Sequence, residues 1–307
     1  MANFKSGFVA VIGRPNVGKS TLINGFLGQK VAAVSPRPQT TRRKQLGILT
    51  LEQAQVIFVD TPGMHKPVHK LGEFMNDEAL DALADADVIV FLVDVSQSPD
   101  PDDRLVAERV VGLENSPLEA KPAVILALNK VDLVEPDRLP DRQAAYQALA
   151  PHAAAIQLSA ATGYQRDQLL AMIIDHLPDG PAFYEADQIT DLYERDIAAD
   201  LVREAALLNL REEVPHGITV RVDEFTERKE SGAFIAATIF VERDSQKGIV
   251  IGQGGQMLKK IGAAARKEIE EMTGRKVYLE LRIKVYKNWR DNPEALRLMG
   301  FDREKDQ

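Results

Sequence analysis

The stretch Gly13-Arg14-Pro15-Asn16-Val17-Gly18-Lys19-Ser20 restricts this chain more than any other. It follows Phe8-Val9-Ala10-Val11-Ile12, a short β-branched run that reads as a buried strand, and precedes Thr21-Leu22-Ile23-Asn24-Gly25-Phe26-Leu27, which reads as a helix opening. A strand, a glycine-bounded loop and a helix N-terminus together aim a row of backbone N–H groups at an anion. Gly13 and Gly18 let the backbone close around phosphate. Lys19 reaches β- and γ-phosphates, and the hydroxyl of Ser20 faces Mg²⁺. The phosphate-binding set is therefore Gly13 to Ser20 with Thr21 behind it.

Later strands and the loops beside them carry matching signals. After a polar loop, Gln29 to Arg43, comes the strand Leu46–Leu51. The loop can lay a threonine over the γ-phosphate and Mg²⁺, ordering with triphosphate and releasing after hydrolysis. Thr41 is favoured as the magnesium-facing residue, with Thr40 as its rival. Val56–Val59 ends in Asp60-Thr61-Pro62-Gly63. An aspartate at a strand end binds Mg²⁺ through water, and the N–H of Gly63 faces the γ-phosphate. Met64 follows, where a water-orienting glutamine stands in some switches of this kind. A thioether cannot do that work. Met64 to Lys70 reads as a mobile stretch and Leu71 to Leu83 as an amphipathic helix.

Val88–Asp94 and Ala123–Leu128 are buried strands, and the second runs into Asn129-Lys130-Val131-Asp132. A carboxylate at Asp132 accepts from guanine N1–H and the 2-amino group. Adenine lacks both donors, so an unpaired carboxylate rejects it by a few kcal/mol. Asn129 and Lys130 brace and flank the ring. The last strand, near Ala155, runs into Ser159-Ala160, where a backbone N–H near Ala160 faces guanine O6; Asp167 to Leu177 reads as a closing helix.

The chain's length of 307 residues suits about two domains. No cysteine is present, which excludes disulfides and thiolate metal sites and fits a reducing cytosol. No signal-like start and no apolar run of about 18–20 residues is seen. The formal charge of −8 argues against a general nucleic-acid binder, but a total can hide a local patch.

Leu177-Pro178-Asp179-Gly180-Pro181 marks a joint, giving domains of 1–178 and 195–307 with a linker of 179–194. A helix is expected over Arg195 to Glu213, with Ile197, Leu201, Ala205 and Leu208 on its apolar face. Strands Ile218–Val222 and Phe234–Val241 follow, separated by a hairpin loop. Then comes Ile249-Val250-Ile251-Gly252-Gln253-Gly254-Gly255-Gln256, two helices meeting at a tight G-x-x-G turn. The second helix carries Leu258, Ile261, Ala265, Ile269 and Met272 at helical spacing. Such a turn clamps about four nucleotides of single strand. Gly252, Gln253, Gly254, Gly255, Lys259 and Lys260 are the RNA-binding candidates. From Arg243 to Arg290 there are twelve lysines and arginines against five acids, a local +7. Val277–Val285 closes the unit, Trp289 is expected in the core, and Pro293 to Met299 is a terminal helix.

G-x-x-x-x-G-K-S, a switch threonine, D-T-P-G, N-K-V-D and S-A, in this order, resemble the Ras-like GTPase class. That implies an α/β fold with a mostly parallel six-stranded sheet, one edge strand antiparallel, and helices on both faces. With one such domain before a type II KH arrangement, the chain resembles the Era family of bacterial GTPases. The related double-GTPase Der group has two GTPase domains. The resemblance implies a GTP/GDP switch with Mg²⁺, catalysis around Lys19, Thr41 and Gly63, and slow turnover consistent with Met64. It implies binding at the 3′ end of 16S rRNA and action in maturation of the 30S ribosomal subunit. It also implies cytoplasmic location with weak association to the membrane surface, and a monomer. Asn16 resembles relatives that place K⁺ beside the phosphates. Two rival readings are an RNA-binding scaffold with a structural nucleotide site and an ATP-using phosphotransferase.

Overall fold

Strands that are apolar at every position need cover on both faces, and the first sheet is built that way. The computed structural model describes residues 3–35, 37, 39–114, 121–211, 214–228 and 232–301. In chain order the first elements are β1 (Lys5–Ile12), α1 (Lys19–Leu27), β2 (Gln45–Thr50), β3 (Ala54–Asp60), α2 (Lys70–Ala84), β4 (Val88–Asp94), α3 (Pro101–Glu114), β5 (Ala123–Asn129), α4 (Leu139–Gln147), β6 (Ala154–Gln157) and α5 (Arg166–His176). The six strands lie in the order β2-β3-β1-β4-β5-β6. All neighbours are parallel except β2 on β3, the antiparallel edge expected from the resemblance.

Side chains of successive strand residues leave by opposite faces. Val9, Val11, Phe58, Val88, Val90, Leu92 and Ile125 pack with Leu22 and Ile23 of α1 and Leu169 and Ile173 of α5. Ala10, Ile12, Ile89, Phe91, Val93 and Leu126 face the other way, onto Ala79 and Leu83 of α2, Val106 and Val110 of α3, and Tyr146 of α4. Each fully buried Val, Leu or Ile contributes roughly 1.5–3 kcal/mol. The sheet thus holds the strand ends, and with them the loops that follow, on a rigid base.

Two compact units result: Met1–Ala32, Thr41–Lys66 and Met75–Asp191 form the first, and Ala33–Thr40, Pro67–Phe74 and Leu192–Gln307 the second. The residues read as a linker are bound to the first unit as far as Asp191. Gly180 N donates to Phe4 O, and Ser6 Oγ to Pro181 O. Gln55 Nε2 donates to Tyr184 O while its Oε1 accepts from the amides of Phe183 and Tyr184. Ile48 N donates to Ile189 O at 2.9 Å, and Leu46 N to Asp191 Oδ1 at 2.9 Å.

The second unit contains α6 (Glu194–Asn209), β7 (Thr219–Arg228), β8 (Gly232–Val241), α7 (Asp244–Ile251), α8 (Gln256–Thr273), β9 (Lys276–Val285) and α9 (Pro293–Leu298). β8 is central, antiparallel to β7 and parallel to β9. One face of this sheet, with Ile235, Ala237 and Ile239, is covered by Leu201 and Val202 of α6, Val250 of α7, and Ile261, Ala265 and Ile269 of α8.

Three expectations need correction. α6 ends at Asn209, and Glu212 and Glu213, where it was expected to stop, lie outside the described residues. Its buried arc is centred on Ala198, Val202 and Ala205, so Leu208 falls at the margin near the helix end and is 55% exposed. β7 is twice the expected length, because Glu224 to Arg228, beyond a bulge at Asp223, pair with β8 by main chain although their side chains show no apolar alternation; residues 229–231 lie outside the described residues. Pro36 and Pro38 of the polar loop also lie outside them. No helix or strand forms between Asp60 and Lys70, in the stretch read as mobile, and the side chain of Met64 is buried in the core.

Trp289 lies in the core as expected: it is fully buried, donates from Nε1 to Gly217 O at 2.9 Å, and stacks on Phe301. Trp289→Ala should therefore cost about 3–5 kcal/mol of stability. Urea unfolding followed by circular dichroism measures it, and a cost well under about 1 kcal/mol would contradict this packing.

Candidate nucleotide and RNA sites

The loop between β1 and α1 has the shape its glycines allow. A side chain at Gly13 would put Cβ 2.3 Å from Leu92 O. Gly18 has φ 105°, and a Cβ there would lie 2.5 Å from Asn129 Nδ2. Asn16 takes a left-handed φ of 64°, which asparagine tolerates better than most residues. α1 begins at Lys19 with no side-chain cap from Gly18 and no acid in its first turn. Its leading amides, Thr21 among them, are thus arranged as an anion site.

Lys19 lies across the loop, with Nζ donating to Gly13 O at 3.2 Å and Arg14 O at 3.1 Å. Burial lowers its pKa to about 8; Asp60 opposes the shift and Arg14 adds to it. Asp60, at the end of β3, shifts the other way: burial raises it against hydrogen bonds from Ser20, Thr41 and Gln45 and the charge of Lys19.

Ser20 Oγ donates to Asp60 Oδ2 at 2.7 Å, and Thr41 Oγ1 donates to the same oxygen at 3.0 Å. The two hydroxyls lie 3.0 Å apart. Asp60 Oδ1 is buried with no hydrogen-bond partner. Two hydroxyls and a carboxylate with an orphaned oxygen make an all-oxygen set that suits a hard cation such as Mg²⁺. Thr40 is turned into its own loop, donating to Arg37 O. The geometry thus favours Thr41 of the two threonines.

The glycine of D-T-P-G packs against the phosphate loop, since a Cβ on Gly63 would fall 2.5 Å from Pro15 N. Met64 N donates to Gly13 O at 3.3 Å. Thr61 does not face the loop: its hydroxyl donates to Val11 O, inside the sheet. Pro62 joins the two as a main-chain spacer. The side chain of Val17 is likewise in the core.

Asn129 ties three loops together. Its Nδ2 donates to Val17 O at 2.7 Å, and its Oδ1 accepts from Ala160 N at 2.8 Å. The N–H of Ala160 is thereby engaged, so a donor to a ring oxygen has to come from a neighbouring amide. Ser159 is buried and its Oγ accepts from Thr162 N. Lys130 Nζ donates to Asn16 O at 2.8 Å and to Asp94 Oδ2 at 2.7 Å. Val131 N donates to Leu158 O, and Asp132 follows in an exposed turn of 3₁₀ helix.

Sequence reasoning missed the acids behind the loop. Arg14 directs its guanidinium to Asp103 of α3, Nε to Oδ2 at 3.2 Å, and lies 3.8 Å from Asp94. Tyr146 OH donates to Asp94 O and Asp103 Oδ2. Burial raises Asp103, whereas at Asp94 the hydrogen bonds from Lys130 and Ser96 outweigh burial and lower it. Asp94 ends a buried strand, as Asp60 and Asn129 do, so it was findable. Nothing in the sequence around Asp103 distinguishes it.

In the second unit α7 stops at Gly252, φ 69°, and α8 starts after Gly254 and Gly255, φ 57° and 78°. A Cβ at Gly252 would meet Met257 at 2.7 Å, whereas Gly254 and Gly255 face open space. Gln253, Gly254, Lys259 and Lys260 are exposed around this turn. All six RNA-binding candidates therefore cluster at one junction.

The family described as 50S ribosome-binding GTPase matches residues 8–130, and the KH domain family matches 213–290. The chain is similar to the crystal structure of Era in complex with MgGDPNP and nucleotides 1506–1542 of 16S ribosomal RNA, at 40% identity and TM-score 0.89, covering 97% of this chain and 99% of that one. It is equally similar to a substituted Aquifex aeolicus Era bound to GDP·AlF4⁻, with the same identity, coverage and TM-score.

A bound triphosphate favours charged Lys19, so binding should take up protons as the pH rises through about 8 and beyond. Affinity should then weaken on the alkaline side. Titration calorimetry at about pH 9, in buffers of different ionisation enthalpy, reads the uptake directly; a buffer-independent heat there would refute the linkage.

Proposed function

Since the chain belongs to the Era family, a GTPase domain followed by a KH domain, we propose that it is a GTP-hydrolysing switch that binds 16S rRNA. The observation that carries the nucleotide half is the arrangement around Asn129. It joins the phosphate loop to the loop of Ser159 and Ala160 beside an exposed Asp132. Asp132 reads the guanine edge. The amides of Gly13 to Thr21 and the ammonium of Lys19 hold the phosphates. Mg²⁺ is held by the hydroxyls of Ser20 and Thr41 with Asp60 behind them, and neutralises phosphate charge when bound.

Water attacks the γ-phosphate in line, and Lys19 and the main-chain amides, including that of Gly63, meet the charge that develops on its oxygens. Met64 has its side chain in the core and cannot orient the attacking water, which supports slow intrinsic turnover. The loops at Gln39–Arg43 and Asp60–Met64 respond to the nucleotide. RNA affinity and nucleotide state are therefore coupled, and reciprocally so.

The RNA is held at Gly252 to Gly255, with Lys259 and Lys260 beside the backbone. The GTPase family's description names the 50S subunit. The KH domain and the rRNA-bound relative weigh toward the 3′ end of 16S rRNA and maturation of the 30S subunit. From the family resemblance we further read a cytoplasmic monomer in weak contact with the membrane surface, and a K⁺ site near Asn16. No described helix is long and apolar enough to cross a membrane.

Steady-state phosphate release tests the switch. Lys19→Ala should lower turnover at least about 10²-fold, the scale of one lost oxyanion donor; a wild-type rate would overturn the catalytic assignment. Asp132→Asn should shift preference from guanine to xanthine nucleotides, and an unchanged preference would favour the phosphotransferase reading. Gly254→Asp should weaken single-stranded RNA binding while nucleotide binding stays intact. Equal RNA affinity in that variant would remove the turn from the RNA site.

A further inference from the structure

Helices α6, α7 and α8 cover one face of the sheet of the second unit. Alternation puts Phe234, Ala236, Thr238 and Phe240 of β8 on the other face, together with the residues of β7 and β9 in register with them. At one end of that face Phe234 and Tyr278 stack, with centroids 5.8 Å apart and planes 18° from parallel. The guanidinium of Arg228 lies over Phe234, 5.0 Å from its centroid. Tyr278 is 63% exposed, whereas Ala236, Thr238 and Phe240 further along the same face are buried.

The charge of this face is the opposite of the chain's. Along β9 the outward row is Lys276, Tyr278, Glu280, Arg282 and Lys284. Of the three acids here, Glu280 is engaged by Arg282 at 2.7 Å, Asp223 of β7 is held by Arg221 and Thr238, and Glu224 accepts from the Thr226 hydroxyl, against the cations Arg221, Arg228, Lys276, Arg282 and Lys284. Lys276 is 90% exposed, reaching Glu270 at 3.4 Å. An overall charge of −8 makes a cationic, aromatic face a specific feature. Stacked rings beside guanidinium and ammonium groups recognise unpaired bases and their phosphates, because every base offers a π-face.

We propose that Arg228, Phe234 and Tyr278 form a stacking platform for unpaired bases of single-stranded RNA, distinct from the turn at Gly252–Gly255. The inference rests on the KH reading above for the claim that RNA is the ligand. The platform lies at the other end of α8 from the turn. That helix has 18 residues, a span of about 27 Å, and the platform is on the face of the sheet that α8 does not cover. A strand of about four nucleotides fills the turn alone; a strand several times longer reaches both.

The test uses the full chain and two single-stranded RNAs of mixed sequence, one of about four nucleotides and one several times longer. Tyr278→Ala should weaken the long RNA about tenfold and leave the short one unchanged, the scale of one lost base–ring stack. Tyr278→Phe should restore binding, and ultraviolet cross-linking should join the long RNA to Tyr278. If Tyr278→Ala binds the long RNA as wild type does, or weakens both lengths equally, the platform is refuted while the KH reading stands. If the wild-type chain binds neither RNA, the KH reading falls and the platform with it.

Discussion

The carboxamide of Asn129 is the interaction on which the nucleotide site depends. Nδ2 and Oδ1 each make one short hydrogen bond to main chain, to Val17 O and from Ala160 N. Asn129 is almost fully buried, so neither partner could exchange these bonds for water without exposing the site. Gly18 must be glycine for the carboxamide to approach. The phosphate loop, the base-reading loop and the loop after β6 are therefore positioned by one planar group at a strand end. The sheet beneath fixes that group, since Asn129 pairs in register with Asp94 across β4 and β5.

Behind this lies a second layer of charge. Arg14 and Lys130 belong to the two loops, and Asp94 and Asp103 stand on the scaffold. Their ion pairs pull the outer side of the phosphate loop toward β4 and α3. Buried ion pairs add little net stability, but removing one partner leaves an uncompensated charge and is costly. Their effect is to fix where the loop sits. Lys19 and Asp60 face inward instead, and burial disfavours the charged form of both. A polyphosphate and a divalent cation are the partners that would relieve that strain.

Much of this is legible in the sequence. The phosphate loop, D-T-P-G, N-K-V-D and the glycine turn each combine unusual residues at fixed spacing, and short-range geometry dictates such signals. The strands of the first unit were legible because burial on both faces makes them continuously apolar. Other features were set by distant parts of the chain. Asp103 is meaningful only because α3 brings it to Arg14. The hydroxyl of Thr61 turns inward to Val11 O, a partner that lies fifty residues away in sequence. α3 and α4 mix charged and apolar residues with little rhythm, and neither was recognised from sequence. The polar half of β7 is a strand because β8 offers it a main-chain edge. Leu208 shows the limit of reading a helix face by spacing alone, since the centre of the buried arc depends on what packs against it.

The segment after α5 has a further consequence for the first sheet. β2 is an outermost strand, and such strands offer unpaired amides and carbonyls to any extended chain. Here the departing polypeptide lies along that border, taking the amide of Ile48 with Ile189 O and that of Leu46 with the Asp191 carboxylate. It acts as a selvedge: it finishes the fabric of the sheet so that a neighbouring copy finds fewer loose threads to knit onto. A chain severed before Ile189 would lose this hem, and its tendency to self-associate through β2 would rise accordingly.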